Sequence, residues 1–322
     1  MKFMGNVEKY KGFLESVKCN VCGADDPEII YPARYELAKP DNINESFRSS
    51  GDEILIDPLV RCRKCGLQYL TPRLRQDVII QAYSEGSDEV FVAQAKGREK
   101  TFARSFDVID RFYPGKGTIL DVGTAGGSFL SVAKRNGWKV LGCEPNRWMV
   151  KWCKENYGID VHPGTLFDMK LPSESVDVVT LWDVLEHTPD PTRVLEECRR
   201  ILKPGGIMVV NYPDIGAWVS RLMGRKWVFL LSVHLYYFTP GTIRAILKKT
   251  GFETLLFRPH WQTLEYDYIC TRIAAYAAWL SSFGKFMGKL LHLSGSQIPY
   301  WVGQTLVVAR KIQEVHKEKI QV

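Results

Sequence analysis

The chain has no run of about 18 apolar residues and no charged-then-apolar leader at its start, so neither a membrane-spanning helix nor a secretory signal is expected, and the reading is cytoplasmic. In that compartment the eight cysteines among 322 residues are not expected to form a disulfide framework. A full G-x-G-x-x-G turn and a P-loop lysine are both missing, which argues against a dinucleotide or a nucleoside triphosphate as ligand. Excess charge is missing as well over the first two thirds. Lys plus Arg against Asp plus Glu stands at 18 and 18 over 1–118 and at 11 and 12 over 119–212, but at 14 and 6 over 213–322. That last third is also dense in Trp, Tyr and Phe, so it offers either a basic, aromatic surface over a substrate or a solvated face with a charged tail. The length suits one core enzyme with small appendages.

What is present begins with ILDVGTAGG at 119–127, an apolar strand ending on Asp121 and turning through Gly123, Thr124, Ala125, Gly126 and Gly127 into a helix near Ser128. A strand buried on both faces reads as a continuous apolar run, and glycines at its carboxyl end let backbone approach a ligand. A second strand, KVLGCEP, ends in Glu144, where a doubly wound sheet places the carboxylate that takes a ribose diol. A nucleoside without a pyrophosphate fits best. Strand and helix alternate from 117 to 211, which predicts a parallel sheet.

At these residues the chain resembles a class I S-adenosylmethionine-dependent methyltransferase, whose first turn normally reads D-x-G-x-G-x-G, with Ala125 standing at the middle glycine. The resemblance extends through LPSESVDVVTLWDVLEHTPDP (171–191) and RILKPGGIMVVNYP (200–213), covering roughly 117–262. It implies an α/β, doubly wound Rossmann-like sheet, mostly parallel with an antiparallel seventh strand. It also implies that Asp121 and the 123–127 backbone hold the amino-acid end of S-adenosylmethionine and that Glu144 holds both ribose hydroxyls. Leu166 and Phe167 would flank the adenine, Asp168 would accept from its amine, and Leu181 and Trp182 would line the methionine moiety.

Cys19-x-x-Cys22-Gly and Cys62-x-x-Cys65-Gly are two matched knuckles, the pairing that suits a tetrahedral structural zinc. The ribbon at 16–74 carries eight basic and nine acidic residues, the reverse of what phosphate binding needs, so no nucleic-acid partner is expected. The ribbon followed by CGLQYLTPR is similar to that fronting bacterial methyltransferases acting on sugars and other small metabolites. Cys143, Cys153, Cys198 and Cys270 have no such spacing and read as ordinary thiols. The expected organisation is an N-terminal arm and zinc ribbon over 1–74, a helical linker closing the cofactor site over 75–116, and the methyltransferase domain over 117–322. In that linker Tyr83 is either a cofactor contact or a packed core tyrosine.

Within the last segment the resemblance implies a crossing loop at 213–240 over the substrate mouth, and an insertion at 265–300 is too long for a plain connection. The insertion sets Ile269, Ile273, Tyr276, Leu280, Phe283, Met287 and Leu290 at helical steps, interrupted near 281–284, beside Arg272, Lys285 and Lys289. It reads as a lid, a dimer face, or an interfacial helix engaging a lipid-linked substrate or a membrane surface.

A hydroxyl that accepts a methyl group must lose a proton, so a base is sought. Asp183, Glu186 and His187 lie at the expected methyl end, with His187 the first choice as base, His234 on the crossing loop the second, and Glu186 beside them. The same triplet resembles the acidic-acidic-His pattern of ubiquinone-biosynthesis O-methyltransferases, which implies a divalent ion at Asp183 and His187. The expected acceptor is a small or lipid-linked molecule, with a sugar hydroxyl in glycan or cell-surface biosynthesis first. A C- or N-methylated nucleotide-linked sugar, a quinone or phenol, and RNA follow.

Overall fold

The computed structural model describes residues 12–35, 54–274 and 277–313. Parts of the expected N-terminal arm and ribbon loop, Tyr276 and the charged tail lie outside the described residues.

The N-terminal third forms β1 (Leu14–Glu15), β2 (Pro27–Tyr31), β3 (Leu59–Cys62), β4 (Gln68–Leu70) and β5 (Arg73–Leu74). Helices α1 (Gln76–Glu85), α2 (Glu89–Ala93) and α3 (Ala95–Phe112) follow. The core alternates β6 (Thr118–Val122), α4 (Ser128–Arg135), β7 (Lys139–Glu144), α5 (Arg147–Tyr157), β8 (His162–Pro163), β9 (Val176–Trp182), α6 (Pro191–Ile201) and β10 (Leu202–Pro213). Then come α7 (Trp218–Met223), β11 (Tyr236–Tyr237), α8 (Pro240–Lys249), β12 (Phe252–Pro259), β13 (Gln262–Glu265), α9 (Tyr266–Ile273), α10 (Ala278–Leu290), β14 (Gln297–Tyr300) and β15 (Gln304–Lys311).

The main sheet has seven strands in the order β12-β15-β10-β9-β6-β7-β8. Neighbours β10–β9, β9–β6, β6–β7 and β7–β8 run parallel. Strand β15 runs antiparallel to both β10 and β12, as expected for the seventh strand. Alternating side chains of each central strand feed two cores. Leu120, Val179, Leu181, Met208 and Val210 pack on one face, and Ile119, Val178, Ile207, Val209 and Leu306 pack on the other. Burial on both faces is why these strands read as unbroken apolar runs.

Local chemistry sets the helix ends. Asp190 caps α6 by accepting from the Arg193 N–H, with Pro191 next. Thr239 caps α8 in a reciprocal pair with Thr242, again followed by proline, and the chain leaves that helix through Gly251 at φ +80°.

The ribbon does not stand apart from the core. Its sheet, β11-β4-β3-β2, takes its edge strand from the crossing loop, with Tyr236 opposite Tyr69 and Tyr237 opposite Gln68. Val21, Val60, Leu67 and Tyr69 belong to the same buried cluster as Leu181, Leu185 and Phe238. Asn20, between the first two cysteines, accepts from the Thr192 N–H at 2.9 Å and donates to Asp190 at 2.9 Å, so the knuckle is clamped to the start of α6.

Candidate active site

The carboxyl ends of β6, β7, β9 and β10 come together along one edge of the sheet, where open α/β folds place ligands. Asp121 closes β6 there with 2% exposure, and the Thr180 hydroxyl donates to its Oδ1 at 2.6 Å. The turn after it is pinned to β7, because the Gly123 and Thr124 amides donate to the Cys143 carbonyl at 2.9 and 3.1 Å. Gly123 is required twice, by φ +65° and by Val184, whose Cγ2 would lie 2.8 Å from an added Cβ. Ala125 also has a left-handed backbone, φ +47°, which costs a non-glycine residue about 1 kcal/mol.

Glu144 closes β7 with 1% exposure. Its Oε2 accepts from the Ala125 N–H at 2.8 Å and its Oε1 from the Asn146 N–H at 2.8 Å, and the Tyr83 phenol hydrogen-bonds it as well. Asn146 donates in turn to the carbonyls of Tyr83 and Gly86 at 2.7 and 2.8 Å. The segment after the ribbon is thereby fastened over this end of the sheet, and Tyr83 lies at the carboxylate. Burial pushes both Asp121 and Glu144 up to about 7, and each tempers the rise with the hydrogen bonds it accepts. Two buried carboxyls sharing one turn call for a ligand rich in donors and positive charge. An amino acid joined through a sulfonium to a ribose is such a ligand, so these residues fit S-adenosylmethionine.

The remaining cofactor candidates are placed unevenly. Leu166 is buried in the core, while Phe167 lies half-buried beneath the Arg193 guanidinium, 4.6 Å from its ring centre. Asp168 is exposed, and its Oδ2 accepts from the Thr165 N–H and hydroxyl at 2.8 and 2.6 Å, closing a local turn. Leu181 is fully buried. Trp182 is wedged among Phe102, Phe129 and His260, with ring centres 5.2, 5.2 and 5.6 Å away.

Immediately beyond β9 the chain crosses the glycine turn at Val184 and brings Glu186 and His187 against His234 of the crossing loop. One ligand-type atom from each of these three residues lies within 4.8 Å of the others. The His187 and His234 rings stand edge to face, 4.6 Å between centres. His187 Nδ1 sits 2.9 Å from the Val233 carbonyl and His234 Nδ1 2.8 Å from the Phe229 carbonyl. A carbonyl only accepts, so Nδ1 carries the proton in both rings and each Nε2 keeps its lone pair. Burial drives His187 down to about 4; burial, with His187 beside it, drives His234 well below the ordinary value. Glu186 is 1% exposed with neither carboxyl oxygen hydrogen-bonded, and burial, then the Asp183 charge, raises it well above the usual carboxylate range. A divalent ion fits this donor set, two imidazole lone pairs and an unpartnered carboxyl.

The expectation of an ion at Asp183 and His187 is corrected here. Asp183 stands outside the cluster because three carboxamides occupy its oxygens: Asn211 at 2.6 Å, Gln304 at 2.9 Å and Gln262 at 3.2 Å. The carboxamide of Asn211 also receives the Asp183 N–H at 2.9 Å, which holds this residue at φ +53°. Sequence patterns gave no sign of this constellation or of its cation. Arg98 on α3 lies 3.5 Å over the Phe91 ring, and its charge acts on Asp183 and Tyr300. Tyr300 in turn donates to Gln262 at 2.6 Å. These groups are scattered between residues 98 and 304 of the chain, and no local motif joins them.

The four knuckle cysteines converge as the spacing predicts. All four sulfurs lie within 4.8 Å of one another, with Cys19–Cys65 at 3.4 Å and Cys22–Cys62 at 3.5 Å. Zinc–sulfur bonds of about 2.3 Å in a tetrahedron require about 3.8 Å between sulfurs, so the cluster fits that ion. Gly23 and Gly66 adopt φ +72° and +78° with open space around them, so backbone conformation alone demands glycine there. Cys143, Cys153, Cys198 and Cys270 are buried free thiols. No helix among the described residues is long and apolar enough to cross a membrane.

Residues 97–256, just under half of the chain, match a family model described as a methyltransferase domain. A stretch of 147 residues is 29% identical to the ubiquinone biosynthesis O-methyltransferase of Cereibacter sphaeroides, covering 42% of this chain and 60% of that protein. The protein of the same name from Actinobacillus pleuropneumoniae is 34% identical over 122 residues, 34% of this chain and 52% of its own length. The chain thus spans about 60% or less of the length of these curated relatives. A SAM-dependent methyltransferase from Archaeoglobus fulgidus superposes with a TM-score of 0.48 at 18% identity, covering 70% of this chain and 100% of that one.

Proposed function

We propose that this chain transfers a methyl group from S-adenosylmethionine to a hydroxyl of a small or lipid-linked acceptor. The observation that carries the reading is the pair of buried carboxyls, Asp121 and Glu144, on either side of a glycine turn crossed by the segment that bears Glu186 and His187. Bound there, the cofactor would supply an electrophilic methyl on a sulfonium whose departure as a neutral thioether needs no acid.

The chain's own residues then have separable roles. Glu144 would accept from the ribose hydroxyls with the lone pairs its two backbone donors leave free, and Asp121 with the 123–127 backbone would hold the amino-acid end. The end of α1, fastened to Asn146 through the Tyr83 and Gly86 carbonyls, would exclude water from the ribose end of the site. Nε2 of His187 or His234 would accept the acceptor's proton, with Nδ1 anchored so that the ring cannot turn away. A positioned base typically contributes about 10² to 10⁴-fold. A divalent ion held by Glu186, His187 and His234 would occupy those same Nε2 lone pairs; it would then make the acceptor hydroxyl more acidic in place of a histidine base.

A base as weak as the buried His187 suits a hydroxyl that is already acidic. That favours a phenol or quinol over a sugar alcohol, in line with the names of the relatives above, although the ribbon's likeness to those of sugar-modifying enzymes keeps the sugar hydroxyl as the competing acceptor. An RNA acceptor is disfavoured by the near-neutral ribbon.

The test is incubation with methyl-labelled cofactor and separate pools of catechols and quinols, nucleotide-linked sugars, and lipid extracts. Label entering the phenolic pool supports the reading. Label confined to the sugar pool overturns the acceptor, and failure to bind the cofactor overturns the activity itself.

A further inference from the structure

Helix α10 is packed inside out. Its inward side is made of Ser281, Gly284 and Gly288, spaced three and four residues apart. An added Cβ at Gly284 would lie 3.0 Å from the Cys270 sulfur, and one at Gly288 would strike the Tyr266 ring. The Tyr266 hydroxyl donates to the Gly284 carbonyl at 2.9 Å, so α9 fills the hollow that these small residues leave. The large apolar side chains face outward: Trp279 is 73% exposed, Phe283 55%, Phe286 63% and Leu290 61%. Soluble helices bury such a face, and single exposed apolar residues are ordinary while a contiguous patch is not.

We propose that this face rests on an anionic membrane surface. Charge favours that occupant. Lys285 and Lys289 are exposed on the same helix, and no Asp or Glu occurs from 268 to 313. A second copy docking through the same face would bring its own lysines against these with no carboxylate on the helix to pair them. Thirteen residues are too few to span a bilayer, which needs about 20, but enough to lie in the headgroup region with Trp and Phe in the acyl boundary and Lys at the phosphates.

The placement matters for the site. The insertion is rooted by β13 and β14, whose Gln262 and Tyr300 belong to the constellation around Asp183. The Thr263 and Glu265 amides fasten it to Thr101 and Gln94 of the α3 region at 2.8 and 3.2 Å. A membrane-seated α10 would hold the acceptor's entrance at the lipid surface, and this docking stands whichever hydroxyl is methylated.

Flotation of the full chain with phosphatidylcholine vesicles, with and without about 30 mol% phosphatidylglycerol, tests it. Expected is recovery with the anionic vesicles at low salt, reduced at least tenfold by Phe283→Ser with Phe286→Ser, and likewise by Lys285→Glu with Lys289→Glu or by high salt. Unchanged S-adenosylmethionine binding in each variant shows that the fold survives. No flotation of the wild-type chain at low salt overturns the proposal. So does a dimer in solution that dissociates on Phe283→Ser with Phe286→Ser, since the face would then belong to a second copy.

Discussion

Replacing Glu144 by Ala perturbs two quantities that the structure allows to be separated. In the folded chain without cofactor, the buried carboxyl accepts two backbone amides, the part-buried Ala125 and the buried Asn146. Leaving each without an acceptor costs about 1–3 kcal/mol, so the truncation costs about 2–6 kcal/mol while the wild-type carboxyl is neutral. Above pH 7 the wild type carries a penalty of its own. Burial holds the group at about 7 instead of 4.5, so ionising it in the folded state costs about 3 kcal/mol. The folded chain binds this proton more tightly than the unfolded chain. The stability it contributes is therefore complete below about pH 4.5 and is lost as pH rises through about 7. Glu144→Ala should consequently be more damaging at pH 5 than at pH 8, where the relieved charge offsets at least half of the loss. Urea melts at the two pH values measure the difference. Calorimetry at pH 8 should show S-adenosylmethionine binding weakened by about 1.5–3 kcal/mol as the ribose loses a charged acceptor. Equal destabilisation at both pH values, together with unaltered affinity, would refute the placement of the ribose on Glu144.

Cys62→Ser, or zinc removal by a chelator, should abolish methyl transfer while leaving cofactor affinity within about threefold, because the ribbon supports the crossing loop and Glu144 lies elsewhere; retained turnover in a chain shown by elemental analysis to be metal-free would sink this. His187→Ala should lower kcat by about 10²-fold or more with cofactor affinity unchanged, and His234→Ala should also raise the acceptor's KM, since that residue belongs to the loop over the mouth. With His187 held near 4, the acid limb of the wild-type rate should fall near pH 4, and a limb at the ordinary histidine value of 6.5 would show that the ring is solvated during turnover. Ala125→Gly should raise the urea midpoint, gaining up to about 1 kcal/mol by relieving the left-handed backbone, and a clear loss of stability would show that the methyl group packs usefully.

The sheet was legible because its signals are local. A buried parallel strand is apolar throughout, a sharp turn needs glycine, and a C-x-x-C-G knuckle carries its own geometry within five residues. Asp121, Glu144 and the four cysteines were found that way. The constellation around Asp183 was not, because Asn211, Gln262 and Gln304 are ordinary amides in sequence and meet only after three strands have been paired. Asp183 looked like a ligand from its place beside Glu186 and His187, but a left-handed backbone at that one residue turns it to the carboxamides. The insertion shows a different failure. The stripe of Leu280, Phe283 and Leu290 identified a helical face without its direction, and the small residues at 281–284, which read as an interruption, are the side that packs. A helix lying against another helix is chosen by fit at close range as well as by hydrophobicity, and glycine spacing carries that information.

The junction of ribbon and crossing loop has a consequence for the order in which the protein comes into being. Strand β4 is complete once residue 70 has been made, but Tyr236, its partner, arrives about 165 residues later, which at 5–20 residues per second is a delay of roughly 10–30 s. For that interval all four knuckle cysteines are already made while β4 presents an open edge. The exposure is tolerable because the strand is three residues long, too short to recruit a neighbouring chain. Leu70 then donates to Leu235, and Leu235 to the Glu186 carbonyl, at 3.0 and 2.8 Å. These backbone bonds therefore run from the earliest-made module into the site, so the chain has made its cysteine knuckles, Asp121 and Glu144 well before the crossing loop that brings His234 to Glu186 and His187.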